Sequence, residues 1–220
     1  MRRVHILVEG QTELQFVKRV LWTYFSHYDL DLDARAVETS RTRYKIHRGG
    51  ITSYLKAKND LLRWIKENPK DYFSTMFDFY ALPNDFPGMS SVATNACRKV
   101  KLIEEAIKVD IPHHHFIPYI QLHEFEALLF TDIRLLKAEF EGKDREIEML
   151  YKSTRAIAPE DINNSPETAP SKRILSFLPI FDKVSNGVSI AEAISVDEMC
   201  KVCPHFNEWI TKLKNIAILP

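Results

Sequence analysis

The chain has 220 residues, 45% hydrophobic and 27% charged, and its thirty basic and thirty acidic side chains cancel. This is ordinary globular composition that excludes a disordered chain, and the cancelled charge argues neither for nor against a nucleic-acid partner. No apolar run approaches the roughly 18 residues needed to cross a bilayer, the run after Met1-Arg2-Arg3 is too short for a signal-peptide core, and three cysteines make no disulfide framework. A soluble protein of a reducing cytoplasm, with no membrane contact, is the expectation.

Residues 4–8 form a short β-rich run, and Leu14, Phe16, Val17, Val20 and Leu21 then recur at helical spacing over 12–25. A strand therefore ends in Glu9, turns at Gly10 and enters a helix carrying Glu13. A poorer second strand is expected near 32–37. Arg41, Arg43, Lys45, His47 and Arg48 then precede a glycine pair in what reads as a basic loop. Tyr54, Leu55, Leu61, Leu62 and Ile65 predict an amphipathic helix over 51–66, which Pro69 stops.

A third strand over 72–77 ends at Asp78. Residues 79–90 hold Pro83, Pro87 and Gly88 and read as a structured loop. A helix follows over 92–108, then a fourth strand over 116–122 that runs into His123-Glu124-Phe125-Glu126. Four strand-then-helix units predict a mostly parallel α/β sheet with right-handed crossovers. After Phe130 the pattern changes to short helical pieces at 135–140, 147–151, 171–178 and 189–194. A long loop is expected at 157–170, a turn at 183–187, and a last helix marked by Phe206, Ile210 and Leu213. The expected organisation is an α/β domain over 1–130 and a helical C-terminal cap over 131–220 packed on it.

Glu9, Asp78 and Glu124 each follow a β-rich run, so a parallel sheet projects all three from one edge. A hard cation such as Mg²⁺ takes oxygen ligands and only a few carboxylates. Like charges so close would otherwise repel. The competing reading is that each acid simply caps a helix. Glu124 and Glu126 share a face on a strand and diverge on a helix. His123 beside them is a candidate ligand, phosphate contact or proton shuttle. Lys172 and Arg173 open a helix whose N–H groups already favour anions. Arg41, Arg43, Lys45 and Arg48 are candidates for nucleic-acid backbone contacts, with Tyr44 a base-stacking side chain. Cys200 and Cys203, with His205 nearby, lack a fourth zinc ligand at finger-like spacing and read as buried thiols. His113-His114-His115 reads as an exposed connector.

A strand ending in Glu-Gly, with an Asp ending a later strand, resembles the Toprim fold of topoisomerases, primases and overcoming-lysogenization-defect (OLD) nucleases. Val8-Glu9-Gly10-Gln11-Thr12-Glu13 is similar to the OLD-type pattern V-E-G-x-x-E. Asp78-Phe79-Tyr80 stands where the Toprim pattern has Asp-x-Asp, so Tyr80 replaces the second acid. The chain also resembles the Toprim-like bacterial family called domain of unknown function 4276. That similarity is carried by 8–13, 78–83, Asp85-Phe86-Pro87-Gly88, 123–130, 166–174 and Cys203-Pro204-His205-Phe206.

The resemblance implies a Toprim-like fold and Mg²⁺ or Mn²⁺ held by Glu9, Glu13, Asp78 and Glu124. It implies nuclease chemistry on DNA or RNA carried by Glu9, Asp78 and Lys172, with Tyr80, Asp85, His123 and Glu126 nearby. It further implies a setting in anti-phage defence beside a separately encoded ABC- or AAA-type ATPase; the chain itself has no G-x-x-x-x-G-K-[ST]. The alternative is a non-catalytic Toprim-like module that binds a partner ATPase or a nucleotide. A homo-oligomer is left open.

Overall fold

The computed structural model describes residues 1–41, 46–48, 50–162, 165 and 167–218, with the backbone alone at 39–41 and 46–48. In chain order the first half is β1 (Arg2–Val8), a helical stretch of α1 (Gln11–Gln15), a π turn (Phe16–Leu21) and α2 (Trp22–Ser26), then β2 (Leu30–Ala36). A hairpin of β3 (Glu38–Arg41) and β4 (Ile46–Arg48) follows, then α3 (Tyr54–Glu67), β5 (Tyr72–Asp78), α4 (Ala96–Asp110), β6 (Phe116–Ile117) and β7 (Ile120–Gln121). The rest is helical. It comprises 3₁₀ segments at Phe125–Thr131 and Ile133–Ala138, α5 (Asp144–Thr154), α6 (Pro170–Phe177), a π turn at Lys183–Gly187, α7 (Val188–Ile194), α8 (Val196–Val202) and α9 (Pro204–Ile218).

The main sheet has the order β2-β1-β5-β6, β7 also lies along β5, and every one of these pairs is parallel. The parallel α/β sheet flanked by helices that the sequence leads one to expect is therefore what the chain forms. β1 is central and buried from Val4 to Val8. β2 lies at an edge, so only alternate residues (Leu30, Leu32, Ala34, Ala36) are buried and Asp31, Asp33 and Arg35 meet solvent between them.

Helices cover both faces. Val4, Ile6, Val8 and Met76 face one cluster with Phe16, Leu21, Phe125, Ile174, Phe206 and Trp209, so the C-terminal helices share a core with β1. Leu7, Phe73 and Phe77 face the other, with Leu61 and Trp64 of α3 and Val100 and Ile103 of α4. Burying these side chains is what drives the two layers onto the sheet.

Two expectations are corrected. The fourth strand is not continuous over 116–122: it breaks between β6 and β7 at Pro118 and Tyr119. Proline has no N–H to give to the ladder, and side chains fill the gap. Ser74 Oγ donates to the Ile117 carbonyl at 2.6 Å, Thr75 Oγ1 bonds both the N–H and carbonyl of Tyr119 at 2.9 Å, and Glu104 accepts from the Ile120 N–H at 2.8 Å. The basic loop is also partly strand, because β3 and β4 pair antiparallel on either side of it. Helix starts fall at their caps, Ser53 accepting from the Lys56 N–H and Asn95 from the Arg98 N–H.

Candidate metal centre

The parallel register brings the ends of β1 and β5 together, with Val8 opposite Met76. Beyond that pair, the Glu9 N–H donates to the Met76 carbonyl at 3.2 Å, and Glu9 Oε2 accepts from the Asp78 N–H at 3.2 Å. The Gly50 N–H donates to the Glu9 carbonyl at 3.0 Å, which returns the chain after β4 to the same edge. Gly10 is extended and opens α1. Its N–H donates to Glu13 Oε2 at 2.8 Å, and a Cβ there would stand 3.3 Å from that oxygen, so glycine leaves room for the carboxylate to fold back.

β7 delivers the remaining acids through His123, a non-glycine residue at φ 66°. Glu124 is 5% exposed and Glu126 1% exposed. Glu124 Oε2 accepts from the Ser171 N–H at 2.9 Å and Oε1 from the Ser171 hydroxyl at 3.1 Å. The opening turn of α6 does bind an anion, and that anion is Glu124 itself. Lys183 Nζ lies 3.2 Å from Glu126 Oε1 and 3.5 Å from Glu124 Oε1.

Burial and mutual repulsion raise the proton affinity of this edge. Asp78 is pushed well above the usual carboxylate range by burial, and the charges of Glu13, Glu9, Glu126 and Glu124 add to it. Burial likewise raises Glu9, against the N–H groups of Asp78 and Ile51, and raises Glu13 with help from Glu9. Glu126 is pushed up to about 7 by burial although Lys183 opposes the shift. Burial works against the Lys183 ammonium, but Glu126 and Glu124 outweigh it and the amine is held above its usual value.

The donor chemistry fits a hard divalent cation, since the cluster offers carboxylate oxygens. Asp78 Oδ1 is buried with no hydrogen-bond partner among the described residues, whereas the buried Glu126 Oε1 meets the Lys183 ammonium. No three His, Cys, Asp or Glu side chains among the described residues already stand together as a metal-holding group.

Several expected site residues lie elsewhere. His123 is buried away from the acids' carboxyl groups, its Nε2 bonding the Glu160 carbonyl at 2.9 Å, and burial lowers its basicity. Asp85 caps α3, with both carboxylate oxygens accepting from the Tyr54 N–H at 3.0 and 2.9 Å. Tyr80 is half-buried, and its N–H donates to the His123 carbonyl at 2.7 Å. Lys172 is exposed, with no hydrogen-bond or ion-pair partner among the described residues, and Arg173 Nε donates to the Thr168 carbonyl at 2.9 Å. Arg43 and Lys45 lie outside the described residues, as do the side chains of Arg41 and Arg48. Tyr44 lies outside them too. His205 does not join Cys200 and Cys203, for its Nε2 bonds Glu104 at 3.0 Å. Burial raises those thiols to about 11 and about 12, as suits inert cysteines.

Sequence reasoning missed Lys183 and Ser171. Ser171 had a signal, as a hydroxyl at a helix start. Lys183 had none, being a lone lysine in a segment read as a turn.

Together these features describe an α/β protein whose parallel sheet gathers buried carboxylates around one lysine at its carboxyl edge. Residues 8–214 match the family described as domain of unknown function (DUF4276), and the chain belongs to that family. Among solved structures it is similar to the C-terminal region of the Xanthomonas campestris pv. campestris OLD protein. The iodine-phased structure is 13% identical with a TM-score of 0.44, covering 99% of this chain and 96% of that one. The platinum-phased structure is 11% identical with a TM-score of 0.38, covering 97% of each. The comparison with curated proteins finds no match. Among the described residues no helix is long and apolar enough to cross a membrane.

Proposed function

We propose that the chain is a Toprim-type nuclease that hydrolyses phosphodiester bonds of DNA or RNA with Mg²⁺ or Mn²⁺. The observation that carries this reading is the buried, unpartnered Asp78 Oδ1 facing the charges of Glu9, Glu13, Glu124 and Glu126. An uncompensated carboxylate in such a place is costly unless it is protonated or meets a cation.

Glu9, Asp78, Glu13 and Glu124 are the residues that would hold the ion. When bound, it supplies Lewis-acid polarisation of a phosphate and a more acidic water. The protein's own groups set the stage. Main-chain N–H groups fix Glu9, Gly10 fixes Glu13, and Ser171 fixes Glu124, so three carboxylates are oriented before any substrate arrives. Lys183 provides positive charge for phosphate oxygens. Lys172, Arg173 and the basic hairpin (Arg41, Arg43, Lys45, Arg48) are the surface we assign to the nucleic-acid backbone. A cytoplasmic role in anti-phage defence, with a separately encoded ATPase, belongs to the same proposal.

The test is incubation of the full chain with plasmid, single-stranded DNA and RNA, in Mn²⁺ or in chelator. Cleavage that needs metal and disappears in a folded Glu9→Ala variant supports the enzyme. One observation favours a second reading, a non-catalytic module that binds a partner ATPase or a nucleotide: no metal-holding group is already assembled among the described residues. Absence of cleavage and of any metal-induced thermal shift decides for that reading.

A further inference from the structure

Lys183 opens a π turn that Asp182 fixes, its Oδ1 accepting from the Ser185 N–H at 2.7 Å and the Ser185 hydroxyl at 2.8 Å. Such turns are rare and concentrate at functional sites. This one packs against α1, which carries Glu13, and against the 3₁₀ segment that carries Glu126. Its ammonium therefore lies on two carboxylates that solvent barely reaches, while the lysine side chain itself is 42% exposed. The stem can swing into water without unpacking the core, a freedom that neither carboxylate has.

We propose that Lys183 is an internal counter-cation that holds the Glu124 and Glu126 carboxylates when no metal is bound and is displaced from them when a divalent cation enters. This rests on the reading that the edge binds such a cation. It accounts for two observations at once: the buried Glu124 and Glu126 carboxyl groups both lie against the Lys183 ammonium, yet no ready-made metal group stands among the described residues. One ammonium cannot balance five neighbouring acids, so a divalent ion competes with it for the same oxygens.

The test uses the full chain and an acetylating N-hydroxysuccinimide reagent, with Lys183 followed by mass spectrometry in chelator and in saturating Mg²⁺. Acetylation of Lys183 should rise severalfold with Mg²⁺ while exposed Lys172 is unchanged. Unchanged Lys183 reactivity, with Mg²⁺ binding seen by calorimetry, overturns the proposal and leaves the metal site standing. No Mg²⁺ or Mn²⁺ binding at all overturns both. As a second measurement, Lys183→Gln should bind Mn²⁺ about tenfold more tightly than the parent, the effect of removing one close competing charge. Lys66→Gln, at an exposed lysine of α3, should bind as the parent does. Equal affinity in parent and Lys183→Gln contradicts the competition.

Discussion

The backbone N–H of Asp78 donates to the carboxylate of Glu9 at 3.2 Å, while the Asp78 carboxylate keeps one buried oxygen with no partner among the described residues. One acid is thus tied down by the main chain of the other, and the second is left facing the carboxyl groups of Glu9, Glu13, Glu124 and Glu126. That asymmetry shapes the expectations below.

Asp78→Asn keeps the shape and removes the buried charge. In chelator the variant should be more stable than the parent, on the order of 1–3 kcal/mol, since the cost of burying an ionisable carboxyl group beside other acids disappears. In Mn²⁺ the order should reverse, because the parent gains a ligand-linked increase in melting temperature and the variant does not. Thermal melts with and without Mn²⁺ check both. A variant that melts lower in chelator, or keeps the full Mn²⁺ shift, contradicts the assignment.

Metal-free stability should fall as pH rises across the neutral range. Glu126 has an ordinary value of 4.5 and is pushed up to about 7 in the fold. The folded state therefore binds its proton more tightly. The resulting stabilisation is complete below about pH 4.5 and is lost as pH rises through about 7, amounting to on the order of 3 kcal/mol. Asp78, Glu9 and Glu13 shift in the same direction. Urea denaturation in chelator between pH 5 and about 8 should show the decline, and Glu126→Gln should flatten it. Equal slopes in parent and variant would refute the assignment to Glu126.

The Asp85-Phe86-Pro87-Gly88 stretch should matter for stability rather than for metal. Asp85→Ala loses a cap on α3 and should cost about 1 kcal/mol. Gly88 sits at φ +81°, and a Cβ there would lie 2.8 Å from the Leu102 carbonyl oxygen of α4. Gly88→Ala should therefore cost more, roughly 2–3 kcal/mol. Denaturant melts measure both losses, and the Mn²⁺ shift of each folded variant should match the parent's. A lost shift in Asp85→Ala would bring that residue back into the site.

Much of the fold was legible because the helix and strand periods are clean. Val4 to Val8 alternates between two buried faces, and α3 ends close to its Pro69 signal, whereas the caps Ser53 and Asn95 start α3 and α4 three to four residues later than the expected 51 and 92. The interruption of the fourth strand was signalled by Pro118, but the side chains that fill it come from Ser74, Thr75 and Glu104, distant in sequence. Glu9, Asp78 and Glu124 were readable as acids at strand ends. Their surroundings were not, because Ser171 and Lys183 reach them only through tertiary packing of the C-terminal helices. His123 misled for the same reason: beside Glu124 in sequence, it turns away at positive φ to the Glu160 carbonyl.

The carboxyl edge of β1 and β5 is the divalent-cation site proposed above. The direct measurement is anomalous diffraction from crystals soaked in Mn²⁺, with Glu9→Ala crystals as the control. The account predicts an anomalous peak bonded to oxygens of Glu9 and Asp78 at about 2.0–2.3 Å, absent in the variant. A saturating soak with no peak there, or a peak only at His113–His115, would contradict it.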